Sequence, residues 1–178
     1  KSFKLLYHKD YLYIITYINF TFKFEPDIVW DMTKSKIRIA IVGVGNCASS
    51  LVQGLTYYKN IKDNQRVIGL MHTVLGGYKI SDIEVVAAFD VNKTKVGKDL
   101  SEAIIAAPNN TKIFAIVPKT GVIVNRGMTH DGIGEYLKDI VIKAPGETAN
   151  IVKILRDTKT DVVISYLPVG SEEATKWY

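Results

Sequence analysis

An α/β fold with a mostly parallel sheet is predicted by three features of the chain. Residues 37–42 and 83–89, IRIAIV and IEVVAAF, are nearly unbroken apolar runs of the kind that fills a strand covered on both faces. The first run turns at Gly43-Val44-Gly45 and passes without a linker into a helical spacing of Ala48, Leu51, Val52 and Leu55. Helical and strand periods then alternate toward the end of the chain, the pattern of a sheet with helices packed on it.

The glycine turn is the chemically informative element. Gly43 can adopt backbone angles closed to other residues, and a bare Cα at Gly45 lets a diphosphate approach the main chain. Ala48 stands where a third glycine is usual and is still small enough for close helix–strand packing. The first turn of the helix offers N–H groups without intrahelical partners, and its dipole favours an anion. The stretch therefore reads as the opening of a Rossmann-like dinucleotide-binding domain. At the end of the second strand, Asp90 stands where an acid accepts hydrogen bonds from the adenosine ribose and repels a 2′-phosphate, which predicts NAD over NADP. The usual spacing from the glycines is about 20 residues. Here it is more than twice that, because an insertion lies between. A turn or helix-capping acid is the alternative reading of Asp90.

Composition sets the outer bounds. The chain of 178 residues, 47% of them hydrophobic, fills one ordinary core. The net charge of +5 is modest and its lysines are dispersed, so they read as a solvated face that attracts anionic metabolites, not as a nucleic-acid track. Cys47 is the single cysteine, which excludes an internal disulfide framework and suits the reducing cytoplasm. Residues 1–31 differ from the rest: they are crowded with Tyr, Phe and β-branched residues, and the first methionine, Met32, follows them. They read as an extension ahead of a domain at 32–178, or else as an edge hairpin or partner-binding arm. Lys9-Asp10 and Asn19 interrupt an apolar stretch too short to span a bilayer, so no membrane anchor is expected.

The insertion, residues 57–82, carries Ile68, Leu70, Met71, Val74, Leu75 and a Gly76-Gly77 turn, and is expected to fold over the cofactor edge. His72 within it has no His, Cys or carboxylate at a metal-ligand spacing and reads as an ordinary histidine. After Asp90 a helix is expected over 93–106, burying Val96, Leu100, Ala103 and Ile104, with Pro108 as its stop. Asn109-Asn110-Thr111 is a polar turn whose place in the topology opens toward the cofactor. Short extended runs at 113–117 and 122–124 precede a glycine loop at 127–134 that runs into a short helix. A strand candidate at 140–142, a helix over 148–158 capped by Thr148, and a buried strand at 162–167 follow. Ser171 is the predicted N-cap of a last helix, and the chain stops at Tyr178 inside it, so the domain is expected to be truncated.

Two other nucleotide or metal chemistries are not encoded. No GxxxxGK[ST] string is present, since Asn46 and Cys47 follow the glycines, and Asp131 stands without the further oxygen ligands a calcium loop needs.

Longer strings are more specific than the glycine turn. IRIAIVGVGNCASSLVQGL, GLMH, VVAAFDVNKTKVGKDL, the Asn110-Thr111 pair, Asp131-Gly132-Ile133-Gly134 and DVVISYLPVGSEEA together resemble the inositol-3-phosphate synthases of the archaeal and bacterial type, over about residues 37–177. The resemblance implies an NAD-dependent isomerase, typically a homotetramer. Such an enzyme oxidises C5 of glucose 6-phosphate, enolises the ketone, closes the ring by intramolecular aldol addition and returns the hydride. It also implies that Gly43, Gly45, Asn46 and Cys47 hold the pyrophosphate and Asp90 the adenosine ribose. Ser165 and Leu167, at the end of a central strand, would border the nucleotide, and the Asn110-Thr111 and Asp131 loops would approach or close over it. Gly127-Met128-Thr129-His130-Asp131-Gly132 departs from the family's Gly-Pro-Thr pattern, which leaves that loop less rigid. The family's phosphate-binding lysines and proton-moving groups belong to a second domain without counterpart here, so the chain alone is expected to lack isomerase activity. The alternatives are an NAD-dependent dehydrogenase of another substrate class and a non-catalytic dinucleotide-sensing module.

Overall fold

The structure, a computed structural model, describes residues 6–8, 11–13, 36–63, 65–134 and 137–178. Most of 1–31, read as an extension or arm, together with Met32 and the Glu135-Tyr136 part of the helix expected after the glycine loop, lies outside the described residues. The chain divides into two compact units, Lys1–Lys34 and Ser35–Tyr178. In the first, β1 (Leu6–His8) and β2 (Tyr11–Tyr13) pair antiparallel, with Tyr7 opposite Leu12.

The second unit is built on four parallel strands. In chain order its elements are β3 (Ile37–Val42), α1 (Asn46–Tyr58), the hairpin β4 (Val74–Leu75) and β5 (Tyr78–Lys79), β6 (Ile83–Asp90), α2 (Leu100–Ala103), β7 (Val124–Arg126), α3 (Ile151–Asp157), β8 (Val162–Ser165) and α4 (Glu172–Trp177). The spatial order of the large sheet is β7-β6-β3-β8, with every adjacent pair parallel. The chain thus builds outward from β3 on one side through β6 and β7, then crosses to the other side with β8.

The two apolar runs form the strands they predict because both faces are covered. Side chains alternate across a strand, so Ile41 and Ala88 face a core made with Ala48 and Val52 of α1 and Leu100 and Ala103 of α2. Ala40, Val42, Ala87 and Phe89 face the opposite core, closed by Ile151 of α3. Ile41 and Phe89 are completely buried, which stabilises the fold by roughly 1.5–3 kcal/mol for each side chain.

Helix α1 carries a polar component on its buried face that apolar periodicity does not reveal. Gln53 is fully buried; its Nε2 donates to Ser49 Oγ at 3.1 Å, and its Oε1 accepts the N–H groups of Phe114 at 2.8 Å and Ala115 at 3.3 Å. This contact accounts for one correction to the sequence reading. The short extended run expected at 113–117 joins no ladder: the N–H groups of Phe114 and Ala115 bond to a helix side chain instead. Gln53→Leu removes the acceptor of both N–H groups and is expected to lower stability by about 2 kcal/mol, read by urea unfolding.

Other corrections have equally local causes. The helix expected over 93–106 is confined to Leu100–Ala103. Asn92 Oδ1 takes the Thr94 N–H, Gly97 adopts φ +84°, and Asp99 caps the short helix, so 93–98 is a series of turns even though Leu100, Ala103 and Ile104 are buried as predicted. Residues 140–142 form no strand; the neighbouring Lys143 makes one isolated bridge to Asn92. Helix α3 starts three residues after the predicted Thr148 cap, because Asn150 Oδ1 accepts the Lys153 N–H and supplies the cap instead. Among the described residues β8 stands at the end of the strand order, and Val162 and Val163 are exposed where a buried strand was expected.

Candidate functional site

In an open parallel sheet, ligands bind beyond the carboxyl ends of the strands, where successive connections leave to opposite sides. That switch point here lies between β3, β6 and β8, and the turn that leaves β3 there is Gly43-Val44-Gly45. A cleft of about 460 Å³ opens at this place, within the range of small-molecule sites. It is lined by Gly43, Gly45, Asn46 and Asp90, by Lys95 and Asn109, and by Met128, Leu167 and Tyr178.

The two glycines serve different ends. Gly43 has φ +88°, and a Cβ there would sit 3.0 Å from the Tyr166 carbonyl oxygen. Its N–H donates to Phe89 O at 2.8 Å, and Tyr166 N–H donates to Val42 O at 2.8 Å, so three strand ends converge on this residue. A Cβ on Gly45 would meet no atom within 4 Å. Gly45 is also the N-cap of α1 and places no side chain over its first turn. Main-chain N–H groups, a helix dipole and open space thus coincide, which is the arrangement a diphosphate needs.

The carboxylate of Asp90 is tied to the turn. Oδ2 accepts the Val44 N–H at 2.7 Å, and Oδ1 accepts the N–H groups of Val91 and Asn92, each at 2.7 Å. Asp90 therefore fixes the glycine turn against the end of β6 and still borders the cleft. Asn46 meets the predicted polar pair directly. Its Oδ1 accepts the N–H groups of Asn110 at 2.9 Å and Thr111 at 3.1 Å and the Thr111 hydroxyl at 2.8 Å, while its Nδ2 donates to Asn110 Oδ1 at 2.9 Å.

Of the residues singled out in the sequence, Gly43, Gly45, Asn46, Asp90 and Leu167 line the cleft. Asn110 and Thr111 are connected to it through Asn46, and Cys47 lies exposed in the first turn of α1. Ser165 ends β8, and Asp131 bonds to the start of α4. Its two oxygens accept the N–H groups of Glu173 and Ala174, each at 2.9 Å, and these bonds hold its carboxyl below the usual range. Asp131 thereby does for α4 what Ser171 was expected to do; the Ser171 side chain makes no capping bond, and its buried hydroxyl has no partner. The insertion hairpin does not line the cleft, and Ile68, Met71 and Leu75 are exposed instead of folding over it.

Asn109, from the polar turn expected to open toward the cofactor, lines the cleft, whereas Lys95 and Tyr178, which line it too, were not singled out in the sequence. Lys95 lies among dispersed lysines that look solvated, yet it is buried. Its Nζ donates to Val44 O at 2.6 Å and to Asn109 Oδ1 at 2.7 Å. Burial pushes its ammonium below the usual lysine range, and the charge of Asp90 opposes that. The only sequence signal was its place five residues after Asp90. Burial pushes the Tyr178 phenol up, opposed by the Met128 N–H that it accepts at 2.9 Å. Among the described residues, no group of three or more His, Cys, Asp and Glu side chains is placed to hold a metal ion. No described helix is long and apolar enough to cross a membrane.

A doubly covered parallel sheet with this turn at its switch point defines a Rossmann-like dinucleotide-binding fold. The chain is a close homologue of the bacterial inositol-3-phosphate synthases. It is 57% identical over 143 residues to the inositol-3-phosphate synthase of Mycolicibacterium smegmatis, covering 80% of this chain and 39% of that protein. To the inositol-3-phosphate synthase of Mycobacterium tuberculosis it is 55% identical over 144 residues, covering 81% and 39%. Among solved structures, the crystal structure of Ari2 matches with a TM-score of 0.61 and 31% identity, over 78% of this chain and 40% of that one. No family model matches. The chain thus spans about two fifths of the length of the curated relatives it matches.

Proposed function

We propose that this chain is the NAD-binding part of an isomerase that converts glucose 6-phosphate to inositol 3-phosphate. The observation that carries the reading is the joining of 57% identity to a synthase with an open glycine turn at the switch point of a parallel sheet. NAD, when bound, would take up and return the hydride that makes the overall conversion redox-neutral. The part of the protein in hand binds and orients. Gly43, Gly45, Asn46 and Cys47 would seat the diphosphate on the first turn of α1, with Asn110 and Thr111 holding Asn46 in place. Asp90 would receive the adenosine ribose with the lone pairs its backbone bonds leave over. Leu167 would border the ring systems from the end of β8, with Ser165 behind it. Asp131 would act at one remove, by holding the loop that carries Met128 and Gly132 to α4 along one side of the cleft.

The division into an extension at 1–31 and a cofactor domain at 32–178, a homotetrameric whole protein and a cytoplasmic location belong to the same proposal. Calorimetric titration of the chain with NAD and NADP tests its cofactor half. Asp90 is the only acid at the end of β6, and its charge is expected to favour NAD by about tenfold or more, or about 1.4 kcal/mol. Equal affinities would remove Asp90 from the ribose site. The catalytic half is tested on the whole protein: glucose 6-phosphate should give inositol phosphate without net NADH. Accumulating NADH would favour a dehydrogenase.

A further inference from the structure

The middle residue of the glycine turn is gripped from both ends. Val44 N–H is held by Asp90, and its carbonyl oxygen accepts both Lys95 Nζ at 2.6 Å and Asn109 Nδ2 at 3.1 Å. A peptide unit is planar and trans, so its C=O and the following N–H point in opposite directions. Fixing the Val44 carbonyl toward Lys95 therefore fixes the direction of the Gly45 N–H. Gly45 lines the cleft, and a Cβ there would meet no atom within 4 Å. A buried ammonium in this position also places a positive charge beside the turn, where little water screens it.

We propose that Lys95 is the positioning residue of the diphosphate site: it sets the Val44–Gly45 peptide in the orientation that offers the Gly45 N–H to the cofactor and supplies charge complementary to it. The inference rests on the NAD-binding reading above. Asn109 extends the same device, because its amide bonds to Val44 O and Ile104 O while its Oδ1 receives Lys95. The turn, the residue after α2 and the polar segment beyond Pro108 are thereby locked into one piece before any ligand arrives.

The test compares the chain with Lys95→Met and Lys95→Gln by calorimetric titration with NAD and by amide nitrogen–proton spectra without ligand. Met keeps the volume and leaves Asn109 on Val44 O, so it is the cleaner variant; Gln keeps a donor without the charge. In Lys95→Met the Gly45 amide signal should move more than amides of β6 and β7, and NAD should bind about tenfold more weakly. Lys95→Gln should fall between the two. If Lys95→Met does not fold, the Gln variant is judged by the same two readouts. A folded variant whose Gly45 signal stays in place, or whose NAD affinity stays within about twofold, overturns the proposal and leaves NAD binding intact. Failure of the unaltered chain to bind NAD removes the underlying reading itself, so the two failures are distinct.

Discussion

Gly43→Ala is expected to abolish dinucleotide binding and to lower stability by about 2–4 kcal/mol. The added Cβ faces two obstacles at once. At φ +88° an L side chain is strained, and the atoms it would meet, Tyr166 O at 3.0 Å and Tyr166 C at 3.1 Å, are main chain and cannot rotate away. Relief would require β3 and the end of β8 to separate, which breaks the Tyr166 N–H to Val42 O bond and tilts the turn that precedes α1. Gly45→Ala is the informative companion. At φ −89° alanine is unstrained and its Cβ meets nothing within 4 Å, so stability should change by no more than about 0.5 kcal/mol. Its methyl group enters the space assigned to the diphosphate, so binding should still fall. Urea unfolding and NAD titration of both variants separate the two effects. Normal NAD affinity in a stable Gly45→Ala chain would place the diphosphate elsewhere.

What the sequence discloses and what it hides follow from how far apart the interacting groups lie in the chain. Strands β3 and β6 were legible because a strand covered on both faces must be apolar throughout, and the bounds expected at 37–42 and 83–89 match Ile37–Val42 and Ile83–Asp90 closely. The glycine turn was legible because its geometry excludes most other residues. The short helix α2 was not, since Val96, Leu100, Ala103 and Ile104 have helical spacing and are buried or half-buried, while the chain between them is bent by Asn92 and Gly97. Periodicity reports which side chains are buried, not which conformation delivers them.

Lys95 was hidden for the opposite reason. Its neighbours Lys93 and Lys98 are exposed, and only the contacts with Val44, 51 positions away, and Asn109, 14 away, show that it is buried. Asp131 behaves similarly. The resemblance implies that its loop approaches the cofactor; nothing local shows that its carboxylate accepts N–H groups more than 40 residues on. Capping by a distant side chain leaves no local sequence trace.

Hydrogen bonds to a distant loop also fix the buried carboxylate of Asp99, and the expected result of replacing it is a pH-dependent loss of stability. Asp99 is almost fully buried, and burial alone would raise its pKa. The hydroxyl and N–H of Ser101, at 2.7 and 2.9 Å, and those of Thr120, at 2.8 and 3.1 Å, outweigh that effect and hold the carboxyl far below the usual range. The Gly121 N–H, at 2.7 Å, completes the set. These bonds fasten the loop ahead of β7 to the start of α2. Asp99→Asn turns one oxygen into a donor facing another donor, so at neutral pH it should cost about 2–3 kcal/mol. The sign of the pH dependence follows from the depressed folded-state pKa. Above the unfolded value of about 3.9 the carboxylate's stabilisation is fully present. Below it the unfolded chain binds the proton first, and stability falls as pH drops toward the folded value. The asparagine variant has no such proton to take up. Urea unfolding of both chains from pH 7 to pH 3 should therefore show a wide gap at neutral pH that begins to close below about pH 4. A gap that stays constant across that range would mean that the Asp99 charge is not what holds the loop to the helix.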